Sequence, residues 1–175
     1  MIIDKLETFI LNIDQMHHRM ARRKLLKLLR QANLQVVIHT EWIKHQQKHM
    51  LKIQIPKRAL PYVISFISFH HYRIYQIVPL SLLELMEPLQ LRPREENRFE
   101  LHIDGLNDPF IKDKVIDILN VFQNKRIHYS FAKDKLKVTT TPEVLCQLIA
   151  TLATRHIDIC QASAPARCYR QSRIS

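Results

Sequence analysis

The chain has 175 residues, with 27 Lys+Arg against 16 Asp+Glu, a net charge of +11, 46% hydrophobic residues and 25% charged ones. That balance excludes a disordered chain, which could not bury enough apolar surface to offset its ordering entropy. The longest strongly apolar stretch, residues 59–69, is far short of the ~20 residues that span a bilayer, and a single glycine, Gly105, excludes Gly-rich phosphate loops of the dinucleotide and Walker types.

Residues 9–14 read Phe-Ile-Leu-Asn-Ile-Asp, an alternation that puts Phe9, Leu11 and Ile13 on one face of a strand. A helical pattern covers 15–33. Strand-like runs follow at 35–43 and 50–55, the second alternating Leu51, Ile53 and Ile55. Pro56 ends that run and opens a helical segment at 57–70, where the missing N–H of proline costs nothing. A strand at 72–78 closes the block. Residues 80–97 begin with an apolar turn (Leu82, Leu83, Leu85, Met86) and continue as a proline-containing charged linker.

Residues 99–104, Phe-Glu-Leu-His-Ile-Asp, match 9–14 at four of six positions at an offset of 90. A helical pattern at 108–123, strands at 126–132 and 135–140, a helix opened by Pro142 over 142–155, and a strand at 156–162 then repeat the first block's order. The expected fold is α+β: two tandem ferredoxin-like βαββαβ domains related by an internal repeat, each an antiparallel sheet with two helices on one face. The expected divisions are a basic domain at 1–79, the linker at 80–97, a second domain at 98–163 and a basic tail at 164–175.

Charge is distributed unevenly. Residues 1–79 hold 13 basic and 4 acidic residues, or +9; residues 97–163 hold 9 and 8, or +1. Within the first block, Arg19, Arg22, Arg23, Lys27 and Arg30 recur at helical spacing and share a face, with Met20, Leu25, Leu28 and Leu29 expected to pack on the sheet. A row of cations without interspersed carboxylates repels itself, and a phosphate backbone would offset that repulsion. The expected function is an accessory protein that binds nucleic acid, RNA ahead of DNA, through these five residues and the tail arginines Arg167, Arg170 and Arg173.

The outward strand positions Ile10, Asn12, Lys52, Gln54, Glu100, His102, Lys137 and Thr139 include no aromatic, so base stacking of the RNA-recognition type is not expected. A regulatory or scaffolding module, pairing through open sheet faces or binding a small ligand, is the alternative. A second alternative is a metal-independent RNA-processing endonuclease. The architecture resembles that of the tandem ferredoxin-like processing enzymes, but those carry a Gly-rich loop near the C-terminus, and this chain has no glycine after Gly105.

For such cleavage, His39 or His70 with Tyr72 would supply the general base. His102 and His156, with Glu100 and Asp158 nearby, form the best metal-like cluster, His128 standing farther off; half-exposed interface histidines are the expectation, with no metal, no cofactor and no catalytic residue. The helix at 60–69 is apolar nearly all round and needs a cover: the other domain, the 82–89 segment, or a protein partner such as a second copy. Cys146, Cys160 and Cys168 form no CxxC pair, and the first residues are acidic where a secretory signal is basic. Reduced thiols, a cytoplasmic location and no membrane association are therefore expected.

Overall fold

A computed structural model describes residues 5–86, 92 and 94–164. Its elements are β1 (Leu6–Ile13), α1 (Arg19–Gln31), β2 (His39–His45), β3 (Lys48–Pro56), α2 (Leu60–Phe69), β4 (Ile74–Pro79), β5 (Asn97–Ile103), α3 (Pro109–Val121), β6 (Ile127–Ala132), β7 (Lys135–Thr140), α4 (Pro142–Thr154) and β8 (Ile159–Ser163). The fold is α+β. All eight strands form one antiparallel sheet in the order β2-β3-β1-β4-β8-β5-β7-β6.

One row of paired residues crosses the whole sheet: Trp42, Leu51, Leu11, Ile77, Ala162, Leu101, Leu136 and Phe131. All eight point to the helix side, as the period-two alternation requires. Leu25 and Leu29 of α1, Val63, Ile64 and Ile67 of α2, Val115 and Leu119 of α3, and Leu145, Leu148 and Leu152 of α4 close over them in one core. Phe9 and Phe99 are each 1% exposed.

The apolar helix α2 packs against α4, so its cover comes from the other half of the chain. The apolar turn after β4 goes elsewhere. It forms a 3-10 segment, Leu80–Leu85, on the opposite face of the sheet, where Leu82, Leu83 and Met86 cover Ile10, Met50 and Val78. The His45 Nε2 lies 3.2 Å from the Met86 carbonyl oxygen, holding that segment down. Sequence alone could not choose between the two faces, because both present aliphatic side chains.

Strand β2 begins at His39 rather than at residue 35. Its register is set by the hairpin turn Gln46–Gln47, both residues at positive φ (42° and 70°), which pairs His45 with Lys48 and His39 with Gln54. Two consecutive left-handed residues match the right-handed twist of the strands.

Helices α2 and α4 end alike. His71 (φ 65°) donates to the Ser68 carbonyl and Tyr72 to that of Ile67; His156 (φ 57°) donates to Ala153 and Ile157 to Leu152. These are paired Schellman closures with histidine where glycine is usual. Strand β8 consequently starts after His156, at Ile159.

Candidate nucleic-acid interface

The first turn of α1 is built differently from those of α3 and α4. Asp108 caps α3 by accepting from the Phe110 amide (2.8 Å), and Thr141 caps α4 by accepting from Val144 (3.4 Å). The N-cap of α1, His18, makes no side-chain bond, and the first turn has no acid. It carries Arg19 and Arg22 instead, at the end where the helix dipole disfavours cations. Local stability is given up there.

Arg22 departs from the row. Its Nη1 donates to the carbonyls of Met16 (2.6 Å) and His17 (3.0 Å), so the guanidinium closes the turn before the helix. Arg19, Arg23, Lys27 and Arg30 are exposed, and across the twelve residues from 19 to 30 they extend about 16 Å along the axis. Lys24, not among the expected residues, is exposed beside them. Among the described residues no carboxylate pairs with any of these five. By contrast, α3 alternates Lys112, Asp113, Lys114 and Asp117. Met20, expected to pack, is 72% exposed, while Leu25 and Leu29 are buried; Leu28 is half-buried.

The β2–β3 hairpin lies within the electrostatic reach of this helix. Burial, and then the charges of Arg22 and Lys44, hold the His49 imidazole below its ordinary pKa. The His17 and His18 rings meet at a tilt of 45° with centroids 3.8 Å apart. Arg167, Arg170 and Arg173 lie outside the described residues, as do linker residues 87–91 and 93 and the tail from 165 on.

The remaining candidate residues are not brought together. His39 is in register with Gln54 and thus with Thr8, at one end of the sheet, whereas Tyr72 precedes Ile74, which pairs with Ile13 at the other. His70 packs its ring on Phe66 and Phe69. His156 lies in the helix-terminating turn with its ring on Tyr62, away from His102, which pairs with Gln161 and Lys135. His128 stands on the edge strand β6 opposite Thr139. Among the described residues no group of three His, Cys, Asp or Glu side chains is placed to hold a metal. No helix of the described residues is long and apolar enough to cross a membrane.

Of the outward strand positions, Ile10 is fully buried under the Leu80–Leu85 segment and Asn12 donates to Gln76 Oε1 at 2.7 Å in a buried pair. This face of the first half is therefore covered at Ile10 and Asn12, while Lys52 is half-buried and Gln54 exposed. Glu100, His102, Lys137 and Thr139 remain at least partly accessible and polar, without aromatics.

Two clefts lie where the halves meet. One, about 340 Å³, runs between the Asp14 turn and Pro142–Glu143 at the start of α4, lined also by Lys48, Arg73 and Tyr75. At its side burial pushes both the Tyr75 hydroxyl and the Cys146 thiol up to about 12, so neither is a nucleophile near neutral pH. The other, about 360 Å³, joins the Asp104 turn to Lys57 at the start of the segment before α2, where Lys57 and Asp104 form an ion pair. Each holds charges of both signs that neutralise one another. The basic row on α1 differs in having no such partner among the described residues. No protein-family model matches this chain, and no curated protein matches it in sequence.

Proposed function

We propose that this protein binds the phosphate backbone of a nucleic acid, RNA ahead of DNA, through α1, without acting as an enzyme. The observation that carries the proposal is the exposed row Arg19, Arg23, Lys27 and Arg30, which has no carboxylate partner among the described residues and starts at an uncapped cationic helix end. Four like charges along one helix face destabilise the free protein, and a polyanion reverses that cost while releasing its own counterions. The polar, aromatic-free sheet face around Glu100, His102, Lys137 and Thr139 supports contacts to phosphates in preference to stacked bases.

We further propose that the two βαββαβ halves are tandem ferredoxin-like units related by a repeat, with units at 1–79 and 98–163 joined by the 80–97 linker. In this arrangement α1 became the binding helix of the first unit, while its counterpart α3 kept mixed charge. A filter-binding titration of a fluorescent RNA against salt tests the function. Affinity should fall linearly on a log–log plot with a slope of about −3 to −4 for four contacts; an affinity independent of salt overturns the proposal.

A further inference from the structure

Several elements bring their ends together beside the start of α1. The Asp14 amide donates to the Arg73 carbonyl (2.9 Å), which ties the turn after β1 to the start of β4. Arg22 of α1 donates to the Met16 and His17 carbonyls of that same turn. The β2–β3 hairpin contributes Lys48 and His49, and α4 contributes Glu143, to the walls of the resulting cleft of about 340 Å³.

Two imidazoles set the sign of this cleft. Among the described residues that line it, Lys48 and Arg73 are offset by Asp14 and Glu143, and Tyr75, its hydroxyl pushed up to about 12, stays neutral. His17 and His49 are left. Histidine changes its charge between pH 5 and 8, so the lining is balanced when both rings are neutral and gains two positive charges when both are protonated. Arg22 and Lys44 face His49 from α1 and β2, and the His18 ring lies against that of His17. Burial, and then the two cations, oppose the charge on His49; burial likewise holds Lys48 below its ordinary pKa, against the pull of Asp14. The free protein resists positive charge here, and a bound anion reverses that resistance. The cleft at the Asp104 turn differs: Lys5, Lys57 and Arg58 are offset by Glu7, Asp104 and Asp158, with no histidine in its described lining.

We infer that this cleft is a second phosphate site of the same interface, filled by a backbone phosphate of the strand held on α1 once His17 and His49 are protonated. The inference rests on the reading of α1 as the nucleic-acid helix: His17 lies two positions before Arg19, so a strand that follows the basic row runs onto the cleft. A backbone phosphate carries its single negative charge throughout this pH range, and the protons are taken up by the rings. A ring that holds its proton more tightly in the complex than in the free protein makes binding tighter as pH falls. Each unit by which its pKa rises on binding contributes up to about tenfold in affinity.

Filter binding of a radiolabelled oligouridylate to the full chain tests this, since uracil does not ionise between pH 6 and pH 8. Wild-type affinity should rise about tenfold or more from pH 8 to pH 6. The log–log salt slope should steepen over the same interval by about 0.7, the value of one further single-strand contact. His17→Gln combined with His49→Gln should abolish both changes, and either single substitution should remove part of them. His128→Gln, on the far edge strand β6, should keep both. Circular dichroism at the two pH values checks that each variant is folded; if the double variant is not, the two single variants carry the same test. Salt-dependent binding that is indifferent to pH overturns the cleft site and leaves the α1 reading standing. A gain that survives loss of both histidines, or that disappears in His128→Gln, also overturns the cleft site. Binding with no salt dependence at either pH overturns both readings.

Discussion

Among the described residues, Ile77 and Ala162 are the one registered pair between β4 and β8, and both are completely buried. Through them the row from Trp42 to Leu51, Leu11 and Ile77 continues into Ala162, Leu101, Leu136 and Phe131, and the two halves share a core. Enlarging Ala162 has no void to fill. Ala162→Leu should cost about 1–3 kcal/mol by overpacking. Chemical denaturation followed by both tryptophan fluorescence, which reports on Trp42, and far-UV circular dichroism should give one coincident transition, since the core is common to both halves.

Phe9 and Phe99 occupy matching places on β1 and β5, each against its outer neighbour strand, opposite Ile53 and Val138 respectively. Truncating either to alanine should destabilise the protein by about 3–5 kcal/mol. Urea unfolding measures this. A loss below about 0.5 kcal/mol at both would mean that neither ring anchors the core.

The basic row separates two roles. Replacing Arg19, Arg23 and Lys27 with glutamine should leave the fold intact, because glutamine has a helix propensity close to theirs and these positions are exposed. The salt dependence of RNA binding should flatten by roughly two to three units, at about 0.9 per duplex contact or 0.7 per single-strand contact. Arg22→Gln should behave oppositely. It removes the donor to the Met16 and His17 carbonyls and should lower stability by about 1–2 kcal/mol while changing the salt slope little.

His71 holds a left-handed backbone at the end of α2, an arrangement that costs a residue with a Cβ roughly 1 kcal/mol. His71→Gly should therefore stabilise the protein by up to about 1 kcal/mol, partly offset by the greater freedom of glycine when unfolded. The midpoint of thermal unfolding at pH 7.5 reports it. A lower midpoint would place the imidazole in a contact that outweighs the strain.

Asp158 has its carboxyl pushed above the usual aspartate range, first by burial and then by Asp104. A raised carboxyl pKa means that the folded state holds the proton more tightly than the unfolded one. Its contribution to stability is fully present below the unfolded value and is lost as pH rises through the folded value. Asp158→Asn should consequently gain stability relative to wild type at pH 7, and that advantage should disappear towards pH 3. Parallel urea titrations at the two pH values check the sign.

Much of this architecture was legible because its signals are local. The alternation of Phe9, Leu11 and Ile13, and of Phe99, Leu101 and Ile103, specifies which side chains face inward whatever the strand pairs with. Pro142 opens a helix, Pro56 directly precedes the 3-10 turn that leads into α2, and the charge difference between the halves is a matter of composition. The cations at 19, 23, 27 and 30 share an exposed helix face because a 3.6-residue period puts them there.

The tertiary structure alone decided which apolar surface meets which. Residues 80–86 and α2 are both apolar and separated only by β4 and its connection, yet the first covers Ile10 and Met50 while the second packs on α4, on opposite faces of the sheet. Arg22 turned inward because two carbonyls of the preceding turn needed a donor. His71 and His156 end helices in a role usually signalled by glycine, and a chain with one glycine offers no such signal. Periodicity states that a face is buried. Only the assembled chain states against what, because that depends on shape and register between segments far apart in sequence.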